Sequence, residues 1–169
     1  MKKIVIIGPE STGKTTIAKQ LANYYKVPLV EEFARTYIDN LKRDYRESDL
    51  IKIAKGQVKN EKLAISKAKK LVICDTDLIV IEIWAKVKYG RLDNWITEQI
   101  LKRDYDLYFL CGTDVPWEFD EQREHPTFRI ELYQIYKNRL IHYKKNFTEL
   151  TGSQSVRLTK AIEQIDKLM

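Results

Sequence analysis

The stretch GPESTGKT, from Gly8 to Thr15, follows the β-branched run KIVII (residues 3–7) and precedes a segment with helical spacing. A loop with glycine at its first and sixth positions, followed by lysine and a hydroxyl residue, curls so that successive backbone N–H groups point at one phosphate group. The lysine neutralises charge between the β- and γ-phosphates, and the hydroxyl reaches Mg²⁺. The stretch therefore predicts a strand, a phosphate loop and a helix that hold ATP and Mg²⁺.

Short apolar runs alternate with segments of helical spacing along the rest of the chain. We predict strands at 3–7, 27–30, 71–74, 105–111 and 155–158, and helices at 16–25, from 33 onward, and at 48–69, 77–89, 95–101, 130–151 and the C-terminus. Such alternation is typical of an α/β fold with a parallel sheet covered on both faces. The prediction is a three-layer P-loop NTPase fold with five parallel strands flanked by helices.

Length and composition fit one soluble domain, residues 1–169. No apolar run approaches the roughly 20 residues that cross a bilayer, and the N-terminal run ends at a phosphate loop rather than a signal cleavage site. We therefore expect a cytoplasmic protein with no membrane partner. Cys74 and Cys111 lie in predicted strands without metal-ligand spacing, which indicates core residues.

Ligands of open α/β sheets gather beyond the carboxyl ends of the strands. In this sequence four polar clusters follow strands, at 8–15, 31–35, 75–77 and 112–129. We predict that they meet at one edge of the sheet. The residues expected to bind ATP are Gly8, Glu10, Ser11, Thr12, Gly13, Lys14, Thr15 and Thr16.

An acidic residue ends the third predicted strand, in the run LVICD that closes at Asp75. A carboxylate there can hold the Mg²⁺ shell together with Thr15, or accept the proton of an attacking hydroxyl. The alternative for Asp75, and equally for Asp77, is an N-cap of the following helix.

Phosphoryl transfer needs positive charge that reaches the γ-phosphate and excludes water. Residues 112–129 suit such a lid because they carry Arg123 and Arg129 just before a helix. The alternative is that these arginines form ordinary surface ion pairs. We predict catalytic roles for Lys14, Asp75, Glu32, Arg123 and Arg129.

Five segments together resemble one family: GPESTGKT, EEFAR (31–35), IAKGQ (53–57), CDTD (74–77) and TDVPWEFDEQRE (113–124). The chain looks like the NadR-type ribosylnicotinamide kinase domain along nearly its whole length. The resemblance implies a nucleoside-kinase-like fold that phosphorylates the ribose 5′-hydroxyl of nicotinamide riboside with Mg-ATP. It also implies that Glu32 and Arg35 line the acceptor pocket, that Asp75 acts at the metal or as base, and that Arg123 belongs to the lid.

One position departs from some family members, which have an aromatic residue where Glu31 stands in this chain. An acid there can still meet a pyridinium electrostatically, whereas stacking would need another aromatic residue such as Trp117. The residues that we expect to bind the nucleoside are Glu31, Glu32, Arg35, Gln57, Asp77 and Trp117.

The net charge of +6 favours anionic ligands and by itself does not choose among them. Two other functions stay open. One is a regulatory ATP-binding module that acts through a partner protein, because phosphate-loop folds host switches as well as kinases. The other, suggested by the basic balance, is a nucleic-acid-stimulated ATPase or polynucleotide kinase. No nucleic-acid module is recognisable, so we expect ATP and a small nucleoside as partners. The sequence does not decide between a monomer and a homo-oligomer.

Overall fold

The computed structural model describes residues 1–116 and 128–169, which form five strands and seven helices. In chain order these are β1 (Lys2–Ile7), α1 (Lys14–Tyr25), β2 (Leu29–Val30), α2 (Phe33–Asp39), α3 (Glu47–Lys67), β3 (Leu71–Asp75), α4 (Leu78–Tyr89), α5 (Asn94–Lys102), β4 (Leu107–Cys111), α6 (Arg129–His142), β5 (Phe147–Leu150) and α7 (Gln154–Asp166).

The strands form one parallel sheet in the order β2-β3-β1-β4-β5. The central strand β1 pairs with β3, where Ile6 is aligned with Asp75, and with β4, where Ile7 is aligned with Leu110. This register places the carboxyl ends of the three central strands at one edge. The predicted α/β fold with a five-stranded parallel sheet is confirmed.

The side chains of each central strand alternate between two hydrophobic clusters, as the two-residue period of a strand requires. Val5 and Ile7 pack in the cluster that α2 to α6 contribute to, whereas Ile4 and Ile6 pack against α1 and α7. All of these side chains are fully buried, which explains why β1, β3 and β4 have nearly continuous apolar sequences. The result is three layers with the sheet in the middle.

Both cysteines are buried free thiols in the sheet, as predicted. Burial raises the pKa of the Cys111 thiol to about 11, so the group stays protonated at neutral pH. It serves as a small apolar side chain beneath the phosphate loop.

The prediction for the C-terminal part was wrong in two respects. The helix does not continue to residue 151, because α6 ends at His142 and Lys144 adopts a left-handed φ of 52°. The fifth strand lies at Phe147–Leu150, and residues 155–158 belong to α7 instead. Ser153 caps that helix through Val156 N, and its buried residues 157, 161 and 165 recur every four positions, which is a helical period.

Smaller differences concern the ends of elements. β2 is two residues long rather than four, and β4 begins at Leu107 rather than at residue 105. Most of the predicted lid lies outside the described residues, so the lid stays a prediction. No helix in the described part of the chain is long and apolar enough to cross a membrane.

Candidate active site

The phosphate loop connects β1 to α1 at the carboxyl edge of the sheet. Gly8 has a φ of 143°, and a Cβ there would lie 2.8 Å from the carbonyl oxygen of Cys111, so only glycine fits. Gly13 has a φ of 79° and forms the N-cap of α1 without a side-chain cap. The N-terminal backbone N–H groups and the dipole of α1 favour an anion. The first turn of α1 carries no acidic residue that would neutralise this positive end of the helix.

The loop is closed by bonds to one of its own carbonyl groups. Lys14 Nζ and Thr12 Oγ1 both donate to the carbonyl oxygen of Pro9, each at 2.7 Å. Lys14 is therefore folded over the loop, where it also lines the cavity described below. An anion bound in the loop would compete with the Pro9 carbonyl for this ammonium group.

Asp75, the last residue of β3, faces the start of α1. Thr15 Oγ1 donates to Asp75 Oδ2 at 2.6 Å, whereas the buried Oδ1 accepts no hydrogen bond from the described residues. Burial raises the pKa of Asp75, and the Thr15 hydrogen bond and the charge of Lys14 partly oppose that rise. A hydroxyl and a buried, unsatisfied carboxylate oxygen are oxygen ligands of the kind Mg²⁺ takes, so this pair fits the predicted ion.

Asp75, which ends β3, and Asp77, which follows it, have different surroundings because Thr76 turns the chain between them. Thr76 has a φ of 70°, which is strained for a β-branched residue and costs on the order of 1–3 kcal/mol. Beyond it, the buried Asp77 carboxylate accepts from Ile79 N at 2.9 Å and Tyr108 Oη at 3.0 Å. The bond from Ile79 N makes Asp77 the N-cap of α4, the alternative that the sequence left open, and the bond from Tyr108 ties this cap to β4.

A cavity of about 370 Å³ lies over the phosphate loop and extends across the sheet edge. Ten of the predicted site residues line it: Gly8, Glu10, Ser11, Thr12, Gly13, Lys14, Thr15, Thr16, Glu32 and Arg35. The cavity therefore joins the phosphate loop to the end of β2. One continuous space therefore adjoins the phosphate loop and the start of α2.

Glu32, directly before α2, brings a carboxylate to this cavity. Burial raises its pKa, and the neighbouring charges of Asp75 and Glu10 act in the same direction. Lys14 and Arg35 act against the rise. A carboxylate with a raised pKa that lines the cavity beside Lys14 is suited to accept a proton from a hydroxyl group near the phosphate loop.

Aromatic side chains that the sequence analysis did not single out form one wall of the cavity. Trp84 of α4 and Tyr136 of α6 line it together with Val80. Tyr45 packs against Trp84 from outside, with ring centroids 6.4 Å apart. Trp84 is only partly buried, whereas its neighbours among residues 78–85 are all buried, so this part of α4 has the sequence of a core helix. Only its partial exposure marks Trp84 as a wall residue.

Two further cavity residues, Gln154 and Arg157, come from α7. Neither was predicted from the sequence, because residues 155–158 have the pattern of a strand and would not place α7 beside the phosphate loop. The wall on this side is completed by Val115 and Pro116, the last described residues before the gap.

Several predicted site residues lie elsewhere. Glu31 is exposed and does not line the cavity. Gln57 is buried in α3, and its Oε1 accepts from Phe33 N at 2.8 Å, which holds the start of α2. Trp117 and Arg123 lie outside the described residues.

Arg129, the first residue of α6, does reach the phosphate loop. Its Nη2 donates to the carbonyl oxygens of Ser11 and Val115, each at 3.0 Å. The side chain thus links the beginning of α6 to the loop.

The sheet order, the phosphate loop and the acid at the end of the neighbouring strand define a P-loop nucleotide-binding protein. A family model described as an AAA domain matches residues 3–157, and the chain belongs to that family. The chain is 30% identical over 177 residues to the trifunctional NAD biosynthesis/regulator protein NadR of Escherichia coli (strain K12). This match covers 98% of the chain and 43% of the relative, so the chain spans less than half of that protein.

Solved structures share the fold. A crystal structure of NadR protein in complex with NR superposes with a TM-score of 0.82 at 22% identity, covering 98% of this chain and 51% of that one. The deoxyadenosine kinase of M. mycoides, with products dCMP and dCDP bound, gives a TM-score of 0.69 at 16% identity and covers 98% and 99%. The similarity to NadR that the sequence motifs indicated is confirmed, and the fold is that of the P-loop nucleoside kinases.

Proposed function

We propose that the protein transfers the γ-phosphoryl group of ATP to the ribose 5′-hydroxyl of nicotinamide riboside or a related nucleoside. The observation that carries this proposal is that one cavity brings a carboxylate and an aromatic wall next to the phosphate loop. The similarity to NadR, which has been crystallised in complex with NR, supports nicotinamide riboside as the first acceptor to test.

The phosphate loop would bind the triphosphate through its backbone N–H groups and through Lys14, which exchanges the Pro9 carbonyl for phosphate oxygens. Thr15 and Asp75 would hold Mg²⁺, which neutralises phosphate charge when it is bound. Arg129 already contacts the loop at Ser11 and is placed to hold the beginning of α6 over it.

We assign the general base to Glu32 because Asp75 has another role. Asp75 accepts a hydrogen bond from Thr15, and these two residues form the pair that would hold Mg²⁺. Glu32 takes the proton from the 5′-hydroxyl as that oxygen forms its bond to the γ-phosphorus. The bond between the γ-phosphorus and the β–γ bridging oxygen breaks, and ADP leaves with the electron pair. A raised pKa makes the carboxylate a stronger base for this step.

Trp84 and Tyr136 would bind the base of the nucleoside between α4 and α6. The nicotinamide ring of the riboside carries a positive charge, which is attracted to the faces of aromatic rings and to the acidic side chains of Glu10 and Glu32. These rings would provide an aromatic surface for the pyridinium, a role for which the sequence suggested Trp117.

The proposal is tested by ADP release from Mg-ATP with nicotinamide riboside, adenosine, guanosine, cytidine and uridine offered one at a time. We expect at least one nucleoside, and nicotinamide riboside most strongly, to stimulate ADP release well above the rate without acceptor. Lys14→Met serves as the control for contaminating kinases. If ADP release from the wild-type protein is independent of every nucleoside, the proposed function is wrong.

A further inference from the structure

The side chain of Arg157 is almost completely buried, with a relative exposure of 2%. Its Nε donates to the carbonyl oxygen of Gly152 at 3.0 Å, and its Nη1 donates to that of Thr12 at 2.8 Å. Its Nη2 contacts the carbonyl oxygen of Gly112 at 3.2 Å and the carboxylate of Asp114. One guanidinium group therefore binds the phosphate loop and the segments that follow β4 and β5.

Burying a cation in this way is costly unless each N–H finds an acceptor. The planar guanidinium fork can bind three carbonyl groups and a carboxylate at the same time, which the single ammonium group of lysine does not. Asp114 also accepts from Gly152 N, so the three segments form one hydrogen-bonded unit. Core packing alone would be satisfied by an apolar residue at this position.

The bond to Thr12 has a direct consequence for anion binding. In a planar trans peptide the C=O and N–H groups point in opposite directions, so fixing the Thr12 carbonyl also fixes the N–H of Gly13. Gly13 has no side chain, and within residues 1–116 and 128–169 no atom beyond its chain neighbours and its own helix lies within 4 Å of where its Cβ would be. The guanidinium thus adds a direct restraint on this peptide group, beside the hydrogen bonds that hold the Thr12 hydroxyl and the Gly13 carbonyl on either side of it.

We infer that Arg157 is a positioning residue of the phosphate site, which holds the Thr12–Gly13 peptide in the orientation that binds the phosphates of a nucleotide. This inference rests on the nucleotide-binding part of the proposed function and is independent of the acceptor. Its side chain also lines the cavity, so its charge and its geometry both need testing.

The test measures the Kd of a non-hydrolysable ATP analogue with Mg²⁺ by calorimetry, for the wild-type protein, Arg157→Met and Arg157→Lys. The matched control is Lys160→Met, an exposed cation one turn further along α7. Loss of a hydrogen-bonded charged group predicts that Arg157→Met raises the Kd at least about tenfold. We expect Arg157→Lys to raise it by several fold, and Lys160→Met to leave it within about twofold.

Two results would overturn the inference. In the first, both Arg157 variants fold and bind the analogue with the wild-type Kd, and only their melting temperatures are lower. In the second, Arg157→Lys has the wild-type Kd, which would assign the effect to charge alone. If the methionine variant does not fold, the lysine variant decides. The binding assay contains no nucleoside, so it tests the phosphate site apart from the transfer reaction. If the wild-type protein binds the analogue and phosphorylates no nucleoside, the proposed function is contradicted and this inference stands.

Discussion

Asp77 offers a perturbation whose size follows from the structure. Burial raises the pKa of its carboxyl group from 3.8 to about 6, and the hydrogen bonds from Tyr108 and Ile79 oppose only part of this rise. Below pH 3.8 the folded and unfolded states both hold the proton. Between 3.8 and about 6 the unfolded chain releases it first, so the free energy of unfolding falls as the pH rises.

A difference of about two pKa units between the folded and unfolded states corresponds to about 3 kcal/mol of unfolding free energy. About 2 kcal/mol of this is lost between pH 4.5 and pH 7.5. Asp77→Asn removes the ionisation and keeps the shape of the side chain. We therefore expect the free energy of unfolding of the variant, minus that of the wild type, to be about 2 kcal/mol higher at pH 7.5 than at pH 4.5. Any constant cost of an altered hydrogen bond to Tyr108 cancels in this comparison.

The assay is urea unfolding of both proteins at pH 4.5 and 7.5, followed by tryptophan fluorescence. A difference in stability that is the same at both pH values would show that folding does not raise the pKa of Asp77. Because Asp77 caps α4 and does not line the cavity, the KM for the nucleoside should be unchanged in the variant. A large rise in that KM would instead support the substrate-binding role predicted from the sequence.

Four further variants test the assigned roles. Lys14→Ala should fold and lose phosphoryl transfer by at least about a hundredfold in kcat, since a preorganised charge near the transferring group is removed; near-normal turnover would contradict its role. Asp75→Asn should raise the Mg²⁺ concentration needed for half-maximal activity, whereas a change in melting temperature alone would favour a capping role. Glu32→Gln should lower kcat. It should also abolish the rise in activity with pH that follows deprotonation of Glu32, whose pKa burial raises above its usual range. An unchanged pH profile would exclude Glu32 as the base. Trp84→Ala should raise the KM for the nucleoside by about tenfold and leave the KM for ATP within twofold, as loss of a stacking surface predicts; equal effects on both would place Trp84 outside the acceptor end.

The phosphate side of the site was predictable because its chemistry depends on spacing within one continuous segment. The positions of Gly8, Gly13 and Lys14 follow from the loop conformation itself, and Asp75 follows from the end of an apolar strand. Parallel pairing of β1 and β3 then brings the loop and the acid together without further information.

The opposite end of the cavity was not predictable in the same way. Trp84 and Tyr136 are 52 residues apart and lie in helices whose other inward-facing residues belong to the core, so only the packing of α4 near α6 makes them a wall. Arg157 was missed because the run SVRL suits a strand as well as a helix. The cap at Ser153 decides between the two, and that cap becomes visible only once α6 is seen to end at His142.

The most direct test of the account is the identity of the phosphorylated product. After incubation of the wild-type protein with Mg-ATP and nicotinamide riboside, phosphorus NMR should show one phosphomonoester coupled to the two 5′ protons of the ribose, in an amount equal to the ADP formed. The Lys14→Met protein should give neither product. ADP accompanied only by inorganic phosphate, or a phosphate attached at another ribose oxygen, would contradict the assignment of the cavity as a site for 5′-phosphorylation of a nucleoside.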